Sequence, residues 1–367
     1  MSERPVLAVL VGAGLVGQVA HLQTLTDVDS PIRLAGVVDA SLHRAQTLGH
    51  QHGVPAAASL ESLNRAGIEA VVIAAPDPFH EDLVELALDL GLHVFVEKPL
   101  GLTPTQCDRM AAKATGSLRV CQVGYMKRFD PAPQLLLDDL RDRGSRITGI
   151  GVEIRDAGAA PFVVGFPFIP AGDDVPTELG LEGSRRFASA AAETLGRPAT
   201  ATEQAAYGSF TSSIIHDLNI IRFMLPGAIT VESGFMAMDG VQVGMHLRTA
   251  AGVLVRIPHT QDTTIADYEE RLTIYTTKGV YEMVFPAPYL LNETTKLRRI
   301  ELKDEFEHSE VVSLNDSKEE AFVRELHAFA RAIRDGRDAP YENAFSDGAE
   351  DLRLLGTAMR MAAGVHG

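Results

Sequence analysis

The segment VLAVLVGAGLVGQVAHL, residues 6–22, constrains the fold more than any other stretch. An apolar run long enough for one buried strand passes directly into Gly12, Gly14 and Gly17, and then into a helical pattern. Each glycine meets a separate steric demand at such a junction: a tight turn, close backbone approach to a pyrophosphate, and close packing of helix on strand. The unpaired N–H groups of Gly12, Ala13, Gly14, Leu15, Val16 and Gly17, with the positive end of the helix dipole, would hold the phosphates. Asp39 closes the next apolar run, RLAGVVD, 22 residues after Gly17. A carboxylate there can bond both ribose hydroxyls and repels a 2′-phosphate, so NAD is expected in preference to NADP, with Arg44 as the residue that could favour a phosphate. The alternative, a glycine-rich turn with no nucleotide, leaves the strand, the spacing and the acid unexplained together.

Further apolar runs follow: AVVIAA (70–75), LHVFV (92–96) and LRVCQVG (118–124). Helix-length stretches separate them, and Thr103, Pro104 and Gln106 have the pattern of a capping box. Apolar strands alternating with helices predict a parallel sheet covered on both faces. From about residue 146 the pattern changes to longer strands with polar alternation, including RITGIGVEI, TVESGFMAM, VQVGMHLRT, GVLVRI, RLTIYTT, GVYEMVF and LRRIEL. Strands in succession without helices between them predict an open, mainly antiparallel sheet, with a hairpin turn at Gly279. Ser317 and Glu320 are spaced as a second capping box opening a helix, and a last helix is expected over 347–362. The fold class is therefore α/β followed by α+β: a dinucleotide-binding domain over 1–128, and a substrate and oligomerisation domain over 129–367 whose closing helices can return to the first. Residues 157–208, rich in Gly, Pro and Ala, fit neither pattern. They form either an ordered flap carrying Phe162, Phe166 and Phe168 or a surface excursion or oligomer contact.

Composition narrows the partners. The 367 residues carry 33 basic and 49 acidic side chains, a net of −16, which disfavours nucleic acid and anionic membranes. Cys107 and Cys121 cannot staple a chain of this size, and the cytosol is the expected compartment. No segment reaches the ~18 uncharged apolar residues of a membrane span. His43, His50, His52 and His93 lack acidic or cysteine partners at ligand spacing, so no metal is assigned.

The run LHVFV ends in Glu97, Lys98 and Pro99. In an open parallel sheet, ligands bind beyond the carboxyl ends of the strands, and Lys98 stands at one. As hydride leaves an alcohol carbon the hydroxyl must lose its proton, and a positioned amine can take or relay it. The plainer alternative is a surface Glu–Lys pair of little consequence. The rigid Pro99 and the buried strand before it favour the active role. Tyr125 and Lys127, in GYMKRFDP, follow the next strand end and could contact substrate; Arg128 could instead serve a structural ion pair. In SFTSSIIHDLNIIRFMLPG, Ser212, His216 and Asn219 form a polar stripe apart from the apolar face of the predicted helix.

The glycine turn, APDPFH (75–80), EKP (97–99), GYMKRFDP (124–131) and the closing helices resemble the glucose–fructose oxidoreductase, inositol dehydrogenase and rhizopine-catabolism (Gfo/Idh/MocA) family, except over 157–208. The resemblance implies a Rossmann domain and a second domain whose open sheet mediates homodimers or homotetramers. It implies Lys98 as catalytic lysine and Ala75, Pro76, Glu97 and His80 at the nicotinamide end. Asp77 stands where many members carry asparagine. A cis Lys98–Pro99 bond is also implied. His216 matches the family histidine, but Ser212 stands where an aspartate is expected, and Asn219 where a second acid is common. Three functions follow as expectations. The first is NAD-dependent interconversion of a secondary alcohol and a ketone on a sugar, amino sugar or cyclitol, with Lys98 as proton relay and His216 assisting. The second is transient use of tightly bound NAD for epimerisation, elimination or glycoside cleavage. The third is a non-catalytic dinucleotide sensor.

Overall fold

The apolar runs of the first 125 residues become six parallel strands: β1 (Val6–Val11), β2 (Ile32–Val38), β3 (Ala56–Ala57), β4 (Ala70–Ile73), β5 (His93–Glu97) and β6 (Cys121–Gly124). Their order is β3-β2-β1-β4-β5-β6, so the strand order reverses where β1 meets β4. Register pairs Val11 with Ile73, Ile73 with Val96, and Glu97 with Gly124. The residues that follow each strand therefore share one edge of the sheet, where open parallel sheets bind ligands. The computed structural model describes residues 4–64, 66–237, 240–265, 267–290, 293–304, 308–315, 317–336 and 344–365.

Two compact units emerge. The first joins Met1–Tyr125 to two later segments, Gly165–Ala190 and Phe322–Leu352. Within it the helix Ala321–Asp335 carries Phe322, Leu326, Phe329 and Ala330 on one apolar stripe, all buried. Phe329 meets Phe95 edge-on at 5.8 Å, and Leu326, Phe329 and Ala330 join Leu10, Val72 and Phe95 in one core. The helix begins at Ala321 and lacks the capping box expected from Ser317 and Glu320; Ser317 Oγ instead accepts the Glu319 N–H at 3.2 Å, a local turn. The capping box at Thr103 and Gln106 forms as expected, opening the helix Pro104–Gly116.

The second unit is built on eight strands: β7 (Ile147–Asp156), β8 (Ile229–Ala237), β9 (Gln242–Thr249), β10 (Leu254–Gln261), β11 (Glu269–Thr276), β12 (Gly279–Phe285), β13 (Lys296–Asp304) and β14 (His308–Ser313). Their order is β14-β13-β12-β11-β7-β10-β9-β8, antiparallel except for the β7–β10 pair. Period-2 alternation is clean: Val255, Ile257 and His259 are buried in β10 while Leu254, Arg256 and Pro258 are exposed. The predicted antiparallel strands all appear, and Gly279 follows the turn at φ +141°. The tail of TVESGFMAM at Met238 lies outside the described residues. Sequence periodicity missed the short β3 and the edge strand β14. The helical run expected to end before Pro226 is Ala201–Ser209, a π-turn Phe210–Ile214, and Ile215–Met224.

Because Phe329 is wholly buried against Phe95, Phe329→Ala should cost the first unit about 3–5 kcal/mol. Urea denaturation followed by far-UV circular dichroism checks it; a loss below about 1 kcal/mol would mean that this helix does not belong to that core.

Candidate active site

The glycine turn has the steric signature of a dinucleotide cradle. Gly12 adopts φ +86°, and a Cβ there would lie 2.4 Å from Ala75 N, at the end of β4. A Cβ on Gly17 would lie 2.5 Å from Gly12 O, so only glycine lets helix and turn touch. A Cβ on Gly14 would meet nothing within 4 Å, which leaves its surroundings open for a phosphate-sized group. Leu15 and Val16 complete the turn half-buried, and Ala13 is buried. Asp39 is 7% exposed; its Oδ2 accepts the Ala13 N–H at 2.8 Å, and its Oδ1 accepts the Ser41 N–H at 2.8 Å. The turn and the acid are thus one hydrogen-bonded unit, and a dinucleotide fits it. Arg44 Nη1 pairs with Asp39 Oδ2 at 3.3 Å.

Lys98 follows β5 through a cis bond to Pro99, as the resemblance implies. Two buried histidines hold the surrounding chain. His80 sets Nδ1 2.8 Å from Pro99 O and Nε2 2.9 Å from Ala75 O, tying this turn to the end of β4. Pro76 precedes the short turn Asp77–Phe79, which leads directly into the His80 helix. Beneath the turn, Glu97 Oε1 lies 2.7 Å from His21 Nε2, and Glu97 Oε2 accepts the Lys98 N–H at 3.2 Å. Glu325 completes the cluster: donor atoms of His21, Glu97 and Glu325 lie within 4.8 Å of one another. His21 and Glu325 are fully buried. Three such ligands could reach one cation. The rings of Phe95 and Phe322, 5.4 Å and 6.0 Å from His21, make the surroundings dry and apolar. A proton on Glu325 removes one of the two buried charges without a hydrated ion having to enter. Burial first, and the Glu97 charge second, push the Glu325 carboxyl well above its ordinary value.

Residues 165–190, whose role periodicity could not assign, pack against this first-unit site. Gln18 clasps Ile169 twice, its Nε2 donating to Ile169 O and its Oε1 accepting the Ile169 N–H, each at 2.9 Å. Arg186 stacks on Phe79 at 5.2 Å and donates to Pro78 O at 3.2 Å, on the turn that leads to His80. Phe168 lies under the Arg44 guanidinium at 5.7 Å, whereas Phe162, in the second unit, meets Tyr268 at 6.2 Å.

In the second unit, His216 is half-buried at the start of Ile215–Met224, directly after the π-turn that carries the exposed Ser212. Such turns recur at functional sites. Asn219 and Asp217 are both buried. Lys127, expected on a substrate-facing rim, is 6% exposed, and its ammonium pairs with Glu270 inside the unit, 5.0 Å from the Phe285 ring. Asp217 Oδ2 is 3.9 Å from the same ammonium, and the Tyr268 hydroxyl donates to Glu270. Burial, then the Glu270 charge, raise Asp217 well above the usual carboxylate range. Glu270 is lowered: burial opposes ionisation, but the Lys127 charge and hydrogen bonds from Asp217, Lys127 and Tyr268 outweigh it. A neutral acid, Asp217, and an ionised one, Glu270, therefore face the Lys127 side chain inside the unit. Tyr125 is buried at the end of β6. Sequence reasoning did not anticipate Gln18, His21, Asp174, Glu270 or Glu325. The legible signals were an acid, Glu325, on an apolar helix stripe, and another, Glu270, at an inward strand position.

A glycine turn, a buried acid hydrogen-bonded to it and a strand-end lysine share one sheet edge, the architecture of a dinucleotide-binding domain. Residues 6–125 match the model of the oxidoreductase family with an NAD-binding Rossmann fold. Across 96% of both chains the protein is 25% identical to the inositol 2-dehydrogenase of Rhizobium meliloti. It is 36% identical to inositol 2-dehydrogenase 1 of Saccharopolyspora erythraea over 127 residues, 34% of this chain and 37% of that protein. The fold matches the 3-ketoreductase of Actinomadura kijaniata, solved with NADP, at a TM-score of 0.73 and 18% identity, covering 98% of each chain. Over residues 6–125 the chain matches the Gfo/Idh/MocA family model, and along its length it is similar to inositol 2-dehydrogenases.

The Glu325 proton gives the fold a pH dependence of known sign. A carboxyl protonated in the native state but ionised when unfolded makes the native state the greater proton binder, so stability falls as pH rises above the ordinary value of 4.5. Glu325→Gln keeps a neutral side chain and removes that dependence. The variant should melt with the wild type near about pH 5 and above it near about pH 8. Thermal melts at both pH values check this, and an equal offset at the two would exclude a buried proton on Glu325.

Proposed function

We propose that the protein is a nicotinamide-dependent oxidoreductase that interconverts a secondary alcohol and a ketone on a sugar, amino sugar or cyclitol. One observation carries the reading: Lys98 stands on the same sheet edge as the glycine cradle and Asp39, in a turn held from both sides by His80 and Glu97. The printed activities of the relatives, inositol 2-dehydrogenases and a 3-ketoreductase, point to the same substrate class. When bound, a nicotinamide dinucleotide supplies the hydride acceptor or donor. Gly12 to Gly17 would hold its phosphates and Asp39 its ribose hydroxyls, with Ala75, Pro76, Asp77, His80 and Glu97 at the nicotinamide end.

The residues of this chain then manage the proton. The Lys98 amine takes the hydroxyl proton as the carbonyl forms and returns it in the reverse direction. Glu97 accepts the Lys98 backbone N–H and so fixes the turn that carries the amine. His216 assists, with Tyr125, Ser212 and Asn219 as substrate contacts; Lys127, committed to Glu270, acts through the helix that bears His216 and Asp217. The exposed face of the eight-stranded sheet is the surface for homo-oligomer formation. It bears a depression of about 590 Å³ bordered by Arg155, Arg256, Arg271, His246 and Tyr275, well away from Lys98 in sequence and in a different unit. The residues that would perform the chemistry are therefore not those lining this hollow.

A second reading has its own support. The clasp of residues 165–190 on Gln18 and Arg44 suits a dinucleotide kept through each turnover, as epimerisation or elimination without net redox requires. Cofactor retained through gel filtration, with product formed and no added NAD consumed, would favour it over the first.

Lys98→Ala should lower turnover by about 10²–10⁴-fold on any cyclitol or sugar that the wild type oxidises, with NADH affinity kept within a few-fold. Steady-state absorbance assays and NADH fluorescence titration measure the two quantities. Unchanged turnover would remove Lys98 from the mechanism.

A further inference from the structure

The segment 165–190 delivers a carboxylate to the residues that follow Asp39. Ser41 bridges two acids: its N–H donates to Asp39 Oδ1 at 2.8 Å, and its hydroxyl donates to Asp174 Oδ1 at 2.7 Å. Asp174 Oδ2 accepts the His43 N–H at 2.8 Å, and the Gly172 N–H returns to Ser41 Oγ at 3.0 Å. Ser41 caps the helix Leu42–His52, whose first-turn N–H groups form a seat for an anion. The chain's own carboxylate fills that seat. Hydrogen bonds from His43 and then Ser41 hold Asp174 below the usual carboxylate range, so it is charged at neutral pH. The nearby cation, Arg44, is already engaged: Nη1 on Asp39, Nε on Ile169 O at 3.2 Å, and the guanidinium over Phe168. Gln18 anchors the same strap at Ile169, which fixes where Asp174 falls.

We propose that Asp174 is an internal anion that selects the dinucleotide, occupying the seat beside the Asp39 ribose position so that the site accepts NAD and rejects NADP. The inference rests on Asp39 being the ribose ligand, as in the proposed function, and adds a second determinant from outside the glycine turn and its strands. A 2′-phosphate carries about −1.5 to −2 charges. It would face two carboxylates with the serine hydroxyl and the helix N–H already taken and the arginine turned to Asp39. A 2′-hydroxyl, by contrast, donates to a carboxylate and meets no repulsion. Selectivity of this kind works by penalising the wrong partner.

The test needs only the full chain and two reduced dinucleotides, titrated by fluorescence without any sugar or cyclitol. The wild type should bind NADH in preference to NADPH. Asp174→Asn and Asp174→Ala should each raise NADPH affinity relative to NADH by about tenfold or more. The asparagine variant separates charge from contact, because its amide oxygen still accepts from Ser41. A ratio unchanged in both variants would overturn the proposal. So would equal tightening of both dinucleotides, which would make the strap a general cover over the adenosine end. Binding of neither by the wild type would remove the dinucleotide reading and this inference together. A shifted ratio with Lys98→Ala turnover unaltered would sink the mechanism and leave the selector standing.

Discussion

The carboxylate of Glu97 at the end of β5 is the interaction on which the first unit's chemistry depends. A charge at the inner end of a core strand is costly unless several partners share it. Here His21 takes one oxygen, the Lys98 N–H takes the other, and Glu325 closes the cluster from the helix Ala321–Asp335. Elements distant in sequence are thereby fastened to one turn. The apolar contacts of Phe95, Phe322 and Phe329 surround that cluster and keep its acids desolvated. The result is a lysine presented from a rigid base, which is what proton transfer from a bound alcohol requires.

The second unit handles buried charge in a parallel way. Lys127, Glu270, Asp217 and Tyr268 form a small interior network anchored on the helix that carries His216. Its acids settle into one ionised and one neutral carboxyl, because two charges with one ammonium cannot all be desolvated cheaply. The family aspartate before the histidine is a serine here, and that serine is exposed on a π-turn. The acid next to His216 along the helix, Asp217, is turned into the unit and held neutral, and the ionised carboxylate of the network is Glu270.

Much of this was legible in the order of residues. The glycine turn, Asp39 and Lys98 were readable because each sits at a fixed offset from a strand end, and strand ends follow from local hydrophobic pattern. Glu325 and Glu270 were readable only as anomalies: an acid at an apolar helix position and another at an inward strand position. The groups they lie against, Glu97 with its His21 and Lys127, come from elsewhere in the chain, and no local period connects them. Residues 165–190 carried no motif because their role is set by contacts with Gln18, Ser41, Arg44 and Phe79, all more than a hundred residues earlier.

By itself the sequence determined two sheets of different kinds, a dinucleotide turn and a lysine at a strand end, since these depend on propensity, periodicity and steric limits within a few residues. The tertiary structure decided which buried acids stay protonated, which cations are engaged inside the units, and where Asp174 comes to rest. Those outcomes depend on desolvation and on distances between groups far apart in the chain, and such quantities exist only once the chain is folded.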